Sequence, residues 1–489
     1  MSNFFRLIQI ICILFKHNAI SVIFISLNLP GKSLFKFFQT KKSNRGRNLA
    51  KAFEELGPIY IKLGQTLSTR PDIVGENIAF ELSMLRDKLP PFATKAAIDI
   101  IEYELGGQLS NHYYDFDPQP IAAASIAQVH KATTHNGQKV AVKILRPNIE
   151  EIFSKDIKLF KSLAALINKK FKNFKRLKLE EVLFTFEQSI ILELDLRFEA
   201  AAASELKENL KNDNDIYIPS VEWDKTSKRV LTIEWIEGIK IEDHEEIIKR
   251  KFNTEKIAAN IAISFFNQAY RDGLFHADMH PGNLLINEKG QIVLIDFGIM
   301  GRLDKKTRIY VAEILDGFLK RDYLRVARIH FKAGYIPSNQ SLELFAQACR
   351  SIGEPIVGLP VNRISIAKLL AQLFKITKDF SMETQPQLLL LQKTMMMVEG
   401  VGTMLNPNVN MWQLAEPWIY NWAKKNISFD AKFVDTISEI AENLFYNYKG
   451  QKTSVEEVIY LPVKNNYVSY ILIAIISSLF TVIFLNFIR

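Results

Sequence analysis

Cysteine is nearly absent: Cys12 and Cys349 are the only two in 489 residues. So distant a pair offers neither a disulfide framework nor a cysteine-based zinc site, and it fits a reducing compartment. Acid is missing from the first 53 residues, which hold nine lysines and arginines. Residues 54–489 then carry 53 basic and 53 acidic side chains, so the formal charge of +9 belongs to the N-terminus alone. A neutral folded part lacks the basic stripe that nucleic-acid binding requires, and no nucleic-acid partner is expected. A basic, acid-free N-terminus suits an anionic membrane surface instead. Internal repeats and low-complexity segments are also missing. With 48% hydrophobic and 24% charged residues, the balance is that of a globular chain with ample core, which excludes disorder and fibres.

One long uncharged run is present. Tyr467 to Ile488 is 22 residues rich in Ile, Leu, Phe and Val. As a helix it reaches roughly 33 Å, enough to cross a bilayer. A buried core helix is the alternative, but a run apolar on every face is expected to span. The chain is then tail-anchored, with its folded mass cytoplasmic. Lys449, Lys452 and Lys464 lie on the same side as that mass, which agrees with the positive-inside rule. Near the N-terminus, Leu7–Phe15 and Ala19–Leu29 are too short to span. They read as interfacial helices, with packing against the folded domain as the alternative. A signal peptide is disfavoured because no small-x-small cleavage site follows.

The rest of the chain changes texture twice. Lys51 to Pro118 is helical in pattern, broken at Pro71 and Pro90-Pro91. From Pro120 to Leu145 the pattern turns strand-like: Val140, Val142 and Ile144 alternate, and His135-Asn136-Gly137-Gln138 marks a hairpin turn. A long helical stretch is expected over Glu180–Leu210, a strand over Val230–Ile236, and mostly helix thereafter, interrupted by a second hairpin at residues 284–295.

That second hairpin organises the chemistry. Leu284–Asn287 and Ile292–Ile295 are short apolar strands joined by Glu288-Lys289-Gly290-Gln291. Pairing them brings Asn283 and Asp296 together at the open end, one strand spacing or about 5 Å apart. A side-chain carbonyl and a carboxylate so held can share a hard cation such as Mg²⁺. Asp278, five residues before Asn283, is placed to orient or deprotonate an acceptor hydroxyl or water. This is the logic of a phosphoryl-transfer site. A His276-x-Asp278-x-His280 metal cluster is the alternative. No further His-rich motif supports it, and Pro281 would end any helix carrying the ligands.

The other half of such a site is expected upstream. Ile121-Ala122-Ala123-Ala124-Ser125-Ile126-Ala127-Gln128-Val129 starts a strand–turn–strand unit whose small residues let backbone amides approach phosphates. Lys143 on the next strand supplies a point charge to them. A helix must bring it an acid, and Glu193, Asp195 and Glu199 are at hand. On one continuous helix Glu193 and Glu199 lie roughly 120° apart, so they suit two different cations.

Lys62-Leu63-Gly64-Gln65, the Ala-Ala-Ala-Ser loop, Glu193-Leu194-Asp195 and His276-Ala-Asp-Met-His-Pro-Gly-Asn283 together resemble the UbiB family of atypical kinases, linked to ubiquinone biosynthesis. The resemblance covers about residues 50 to 360. It implies an α+β, bilobal protein-kinase-like fold with an N-terminal helical extension, to which the C-terminal span adds one transmembrane helix. The divisions expected are 1–50 (basic, membrane-proximal), 51–118 (extension), 119–236 (N-lobe), 237–465 (C-lobe) and 466–489 (span). It also implies that Lys62 and Gln65 lie over the place where a kinase would bind a peptide. Glu199 then pairs with Lys143, while Glu193 and Asp195 face Lys62. The segment Thr232–Gly238, with Glu234 and Ile236, resembles the hinge that holds adenine. ATP and Mg²⁺ are the cofactors implied, at the bacterial inner membrane with the catalytic domain cytoplasmic. The expected partners are membrane lipids, other ubiquinone-biosynthesis proteins or a lipid precursor.

Three departures from ordinary protein kinases stand out. Ala122–Ala124 replace a glycine-rich loop, Ala277 replaces the Arg of His-Arg-Asp, and only Ile299–Asp304 separate Gly298 from the next helix. Without a long activation segment, phosphorylation of proteins in trans is not expected. The function expected is a Mg²⁺-dependent kinase or ATPase supporting ubiquinone synthesis. The alternatives are a small-molecule kinase of the aminoglycoside or choline kinase type, and a nucleotide-sensing scaffold.

Overall fold

The computed structural model describes residues 3–19, 45–68, 74–82, 89–170, 179–357 and 385–407, with a few short stretches between and after them. The apolar run Tyr467–Ile488 and nearly all of Ala19–Leu29 lie outside the described residues.

The described part of the chain opens with helices, among them α1 (Asn3–Lys16), α2 (Arg45–Leu56), α3 (Pro58–Ser68), α4 (Glu76–Leu82) and α5 (Thr94–Leu105). Helix α1 buries Ile10, Ile13 and Leu14 in one cluster with Leu49, Phe53 and Leu56 of α2, and Arg6 pairs with Asp156 at 2.7 Å. Its other face leaves Phe5, Ile8, Ile11 and Phe15 exposed. The expected interfacial helix is therefore docked by one apolar face and outward-facing by the other. Gly64 belongs to this packing: a methyl group there would meet Leu85 at 2.3 Å and Phe53 at 2.8 Å, so the Lys62–Gln65 turn approaches its neighbours as only glycine allows.

Strands β1 (Asp115–Phe116), β2 (Ala122–Ala123), β3 (Ala127–Thr133) and β4 (Lys139–Leu145) follow, then α6 (Ile149–Lys170), α7 (Leu179–Glu193), α8 (Leu196–Asn209), β5 (Ile216–Tyr217) and β6 (Val230–Glu234). Strands β1, β3, β4 and β6 form an antiparallel sheet in that order, with β2 on the edge of β3. The β3–β4 register runs from Ala127 opposite Leu145 to Thr133 opposite Lys139. Its turn holds Gly137 at φ 81°, a left-handed conformation that glycine tolerates. Alternation fixes the faces. Val140, Val142 and Ile144 are buried against Ala97, Ile100 and Ile101 of α5, which turns Lys143 to the opposite face.

The expected continuous helix over residues 180–210 is two helices. It breaks at Leu194-Asp195, because the Asp195 carboxylate accepts the Arg197 N–H and starts α8 afresh.

The second lobe contains β7 (Gly238–Lys240), α9 (Thr254–Phe266), β8 (Leu274–His276), β9 (Leu284–Asn287), β10 (Ile292–Leu294), β11 (Met300–Arg302), α10 (Lys305–Leu319), α11 (Tyr323–Lys332), α12 (Leu342–Val357) and α13 (Pro386–Leu405). Strands β5, β10, β9 and β7 make one small sheet, and β11 pairs antiparallel with β8. Asp304 caps α10 by accepting the Thr307 N–H, so the chain goes from Gly298 through one short strand straight into helix. Helix α13 is long and apolar enough to cross a bilayer by composition alone. Here Leu391, Met395, Val398 and Val401 are buried in the C-lobe core beside Phe265 and Phe266 of α9. The architecture is the α+β, bilobal plan with a helical extension.

His330 on α11 is buried, donates from Nδ1 to the Val326 carbonyl at 2.8 Å, and meets the ring of Phe345 edge-on. Burial pushes its imidazole down to about 4, from 6.5 for a free histidine. As pH falls below the unfolded value, the unfolded chain takes up a proton that the folded chain refuses until about pH 4. Stability is lost through that window. Chemical denaturation of wild type and His330→Phe at pH 7 and pH 5 should show the wild type losing about 2 kcal/mol more than the variant. Parallel losses in the two proteins contradict the assignment.

Candidate active site

Alternation on β4 aims Lys143 away from the α5 core, and the start of α8 sets Glu199 in its first turn. The two meet with Lys143 Nζ 2.8 and 2.9 Å from the Glu199 oxygens. Asp296 arrives from the end of β10 and places Oδ1 2.9 Å from the same nitrogen. One ammonium thus joins two carboxylates. Burial alone would lower the Lys143 pKa, but the charges of Asp296 and Glu199 outweigh it and hold the amine protonated well above its ordinary value. Burial pushes Glu199 up to about 6 against the pull of Lys143. The Lys143 charge holds Asp296 well below the usual carboxylate range. At neutral pH the cluster is ionised throughout.

The Asp296 backbone is left-handed, at φ 60°, a conformation that costs a non-glycine residue energy. Hairpin pairing puts it there: Leu284 lies opposite Leu294, and the Ile295 N–H donates to the Asn283 carbonyl at 3.1 Å. Asn283 and Asp296 accordingly leave the hairpin at its open end. Asn283 Nδ2 donates to the Asp278 carbonyl at 3.0 Å, which ties the catalytic loop to the hairpin and leaves Oδ1 as an acceptor. An amide oxygen beside an ionised carboxylate is a donor set that fits Mg²⁺.

The histidines of the loop hold it in shape. His276 Nε2 donates to the Ile295 carbonyl at 3.1 Å, and its Nδ1 accepts the Asp278 N–H at 3.2 Å. His280 Nδ1 accepts the Gly282 N–H at 2.9 Å. Both histidines thus spend Nδ1 on the loop's own backbone, and among the described residues no group of three or more His, Cys, Asp and Glu side chains is placed to hold a metal.

Lys62, on α3 of the extension, is buried and lies 2.8 Å from Glu193 Oε2, at the end of α7. Its charge also helps to hold the Asp296 carboxyl low. Gln65 is half-buried one turn further along α3, and its carbonyl accepts the Ser68 hydroxyl at 2.6 Å. Asp195, expected beside Lys62, has a different part. Its carboxylate caps α8 and bonds the Arg197 guanidinium at 2.6 and 2.9 Å. The helix break is the reason: an aspartate at a helix start is drawn to the free amides there.

The alanine loop also differs from expectation. Ile121 and Ala122 are exposed and Ala123, Ala124 and Val129 half-buried, but Ser125, Ile126, Ala127 and Gln128 are inside the lobe. Ala124 N–H donates to Ala127 C=O at 2.8 Å. Arg146, which sequence reasoning passed over, clasps the Ala124 carbonyl at 2.8 and 3.1 Å and the Pro90 carbonyl at 2.9 Å. The loop is pinned from behind. Glu234, expected at the hinge, turns its carboxylate to the Tyr217 hydroxyl and the Ser220 N–H, and its own N–H donates to the Ser220 carbonyl at 2.8 Å.

The model of the ABC1 atypical kinase-like domain matches residues 84–330, and that of the UbiB helical domain matches residues 349–410. The protein named Probable protein kinase UbiB from Marinobacter nauticus is 43% identical over 394 residues, covering 80% of this chain and 72% of the relative. Its namesake from Aliivibrio fischeri is 40% identical over 401 residues, covering 81% and 74%.

The chain belongs to the UbiB family.

The Pseudomonas aeruginosa UbiB protein is 39% identical over 388 residues, covering 78% of this chain and 73% of that one. Within this UbiB chain, Lys143, Glu199, Asp278, Asn283 and Asp296 all lie inside the matched kinase-like segment, whereas Lys62 lies outside it.

Asn tolerates the left-handed backbone of residue 296 but cannot carry its charge. Asp296→Asn should fold as wild type, within about 2 °C in Tm, and lose Mg²⁺-dependent ATP binding by at least about tenfold. Unchanged binding by calorimetry contradicts the assignment of Asn283 and Asp296. Ala123→Gly from the front and Arg146→Ala from behind should both loosen the pinned loop. Each should shift the ATP-to-ADP affinity ratio several-fold and raise self-phosphorylation. For Ala123→Gly the stability cost stays below about 1 kcal/mol. Ratios and labelling equal to wild type in both variants show that the loop does not govern nucleotide handling.

Proposed function

We propose that this UbiB-family chain binds Mg·ATP and acts as a kinase or ATPase at a membrane, in support of ubiquinone biosynthesis. The observation that carries the reading is the ammonium of Lys143, shared by Glu199 and Asp296 beside a loop that presents Asp278 and Asn283. Asn283 and Asp296 would hold a Mg²⁺, whose positive charge would offset that of the phosphates. The rest falls to the chain. Lys143 contributes a fixed charge to the phosphates. Asp278 accepts a proton from the attacking hydroxyl or water. The backbone edge at Ala122–Ala123 faces the phosphates. Ile236 and the Glu234 carbonyl meet the base.

The short run from Gly298 to α10, filled by β11, speaks for a small or internal acceptor over a docked peptide. The extension speaks against a small-molecule kinase of the aminoglycoside type, because Lys62 is close enough to act on Asp296 from outside the kinase-like segment. Lipid contact is supported by α1, whose exposed Phe5, Ile8, Ile11 and Phe15 lie in a segment rich in cations and free of acid.

The test is quinone profiling in a strain deleted for this gene. Plasmid-borne wild type should restore ubiquinone, and Asp296→Asn, at equal abundance, should restore less than about a tenth of it. Full restoration by the variant overturns the reading and leaves the scaffold alternative.

A further inference from the structure

Helix α13 belongs to the segment matched as a helical domain, separate from the kinase-like segment. It nonetheless touches the catalytic loop twice. The Thr394 hydroxyl, fully buried, shares its one proton between the Leu390 carbonyl at 2.8 Å and the Ala277 carbonyl at 3.2 Å, and Thr394 stands 117 residues from Ala277 in sequence. The next residue toward the N-terminus, Lys393, extends its ammonium to 3.9 Å from Asp278 Oδ1. Its helix is not free to drift, because Leu391 and Met395 are buried in one core with Ala277 and Met279.

We propose that Lys393 is a positioning residue of the nucleotide site, supplied by the helical domain to the kinase-like domain, which steadies Asp278 against the terminal phosphate. This rests on the phosphoryl-transfer reading above. The reasoning is one of charge. Three carboxylates, Asp278, Asp296 and Glu199, gather here, and the Lys143 ammonium is already engaged by the last two. Among the described residues, the cationic partners of Asp278 are His280 at 3.7 Å and Lys393 at 3.9 Å. An acceptor group in line with the γ-phosphate brings that anion toward the Asp278 carboxylate. Without a cation alongside, repulsion turns the carboxylate away or weakens the phosphate's hold. In an ordinary kinase-like loop the Arg of His-Arg-Asp stands before the aspartate; here Ala277 is buried and chargeless, and the cation reaches in from another domain. The Lys393 side chain is 31% exposed and stands 3.9 Å from the carboxylate, a loose and partly solvated contact and not a tight buried ion pair.

The experiment uses the full chain in nanodiscs: wild type, Lys393→Met, Lys393→Arg, Asp278→Asn and the double variant Asp278→Asn/Lys393→Met. Affinities for Mg·ATP and Mg·ADP, single-turnover release of γ-phosphate and Tm are measured for each. Lys393→Met is expected to weaken ATP binding at least fivefold relative to ADP and to slow γ-phosphate release at least tenfold. Its ADP affinity and Tm should stay near wild type, and Lys393→Arg should recover most of the loss. Adding Lys393→Met to Asp278→Asn should cost little more, because both act on one carboxylate. An ATP-to-ADP ratio and release rate within twofold of wild type overturn the proposal. So does equal loss of both nucleotides with a lowered Tm, which makes the lysine structural. A wild-type chain that binds neither nucleotide overturns the phosphoryl-transfer reading itself, and this proposal with it.

Discussion

Lys143 is held by two carboxylates that reach it from opposite directions in the chain, Glu199 from the start of α8 and Asp296 from the end of β10. Removing Lys143 would leave two carboxylates facing one another with no cation between them, whereas removing either carboxylate still leaves Lys143 a partner. The surrounding structure is consistent with that demand. Sheet alternation turns Lys143 from the α5 core, the Asp195 cap starts α8 so that Glu199 lies in its first turn, and the β9–β10 register delivers Asp296 in a left-handed backbone. The Gly298 N–H donates back to Asp296 Oδ1 at 3.4 Å, a weak tie that adds to the stronger one from Lys143.

A second ion pair, Lys62 with Glu193, runs alongside the first and joins the extension to the N-lobe. The two acids lie only six residues apart, yet the chain separates them by ending one helix and beginning another. Each lysine therefore has its own partner, and neither pair needs to be broken for the other to form. Because the charge of Lys62 is felt at Asp296, the extension is electrically part of the site and not merely a cover for it. Rigidity extends to the alanine loop, whose carbonyl at Ala124 is clasped by Arg146. A loop so pinned is held from behind, and on the other lobe β11 fills the short run between Gly298 and α10.

Much of this was legible in the sequence because it depends on local rules. Period-two alternation located β4 and the face of Lys143. Asn-Gly and Lys-Gly turns located both hairpins, and hairpin closure alone brings Asn283 to Asp296. The UbiB motifs sufficed to name the family and its α+β, bilobal fold. What the sequence left open depends on competition between partners that only packing decides. Asp195 could face Lys62 or cap a helix, and the free amides of α8 captured it. Helix α13 reads in the sequence only as helix, and the burial of Leu391, Met395 and Val398 sets it in the core. Helix α1 could lie on lipid or on the domain, and it is amphipathic enough to offer a face to each. Arg146 and Lys393 gave no signal at all: a long cation's partner is set by where its flexible end comes to rest, and no spacing in the chain records that the carbonyl of Ala124 or the carboxylate of Asp278 is within reach.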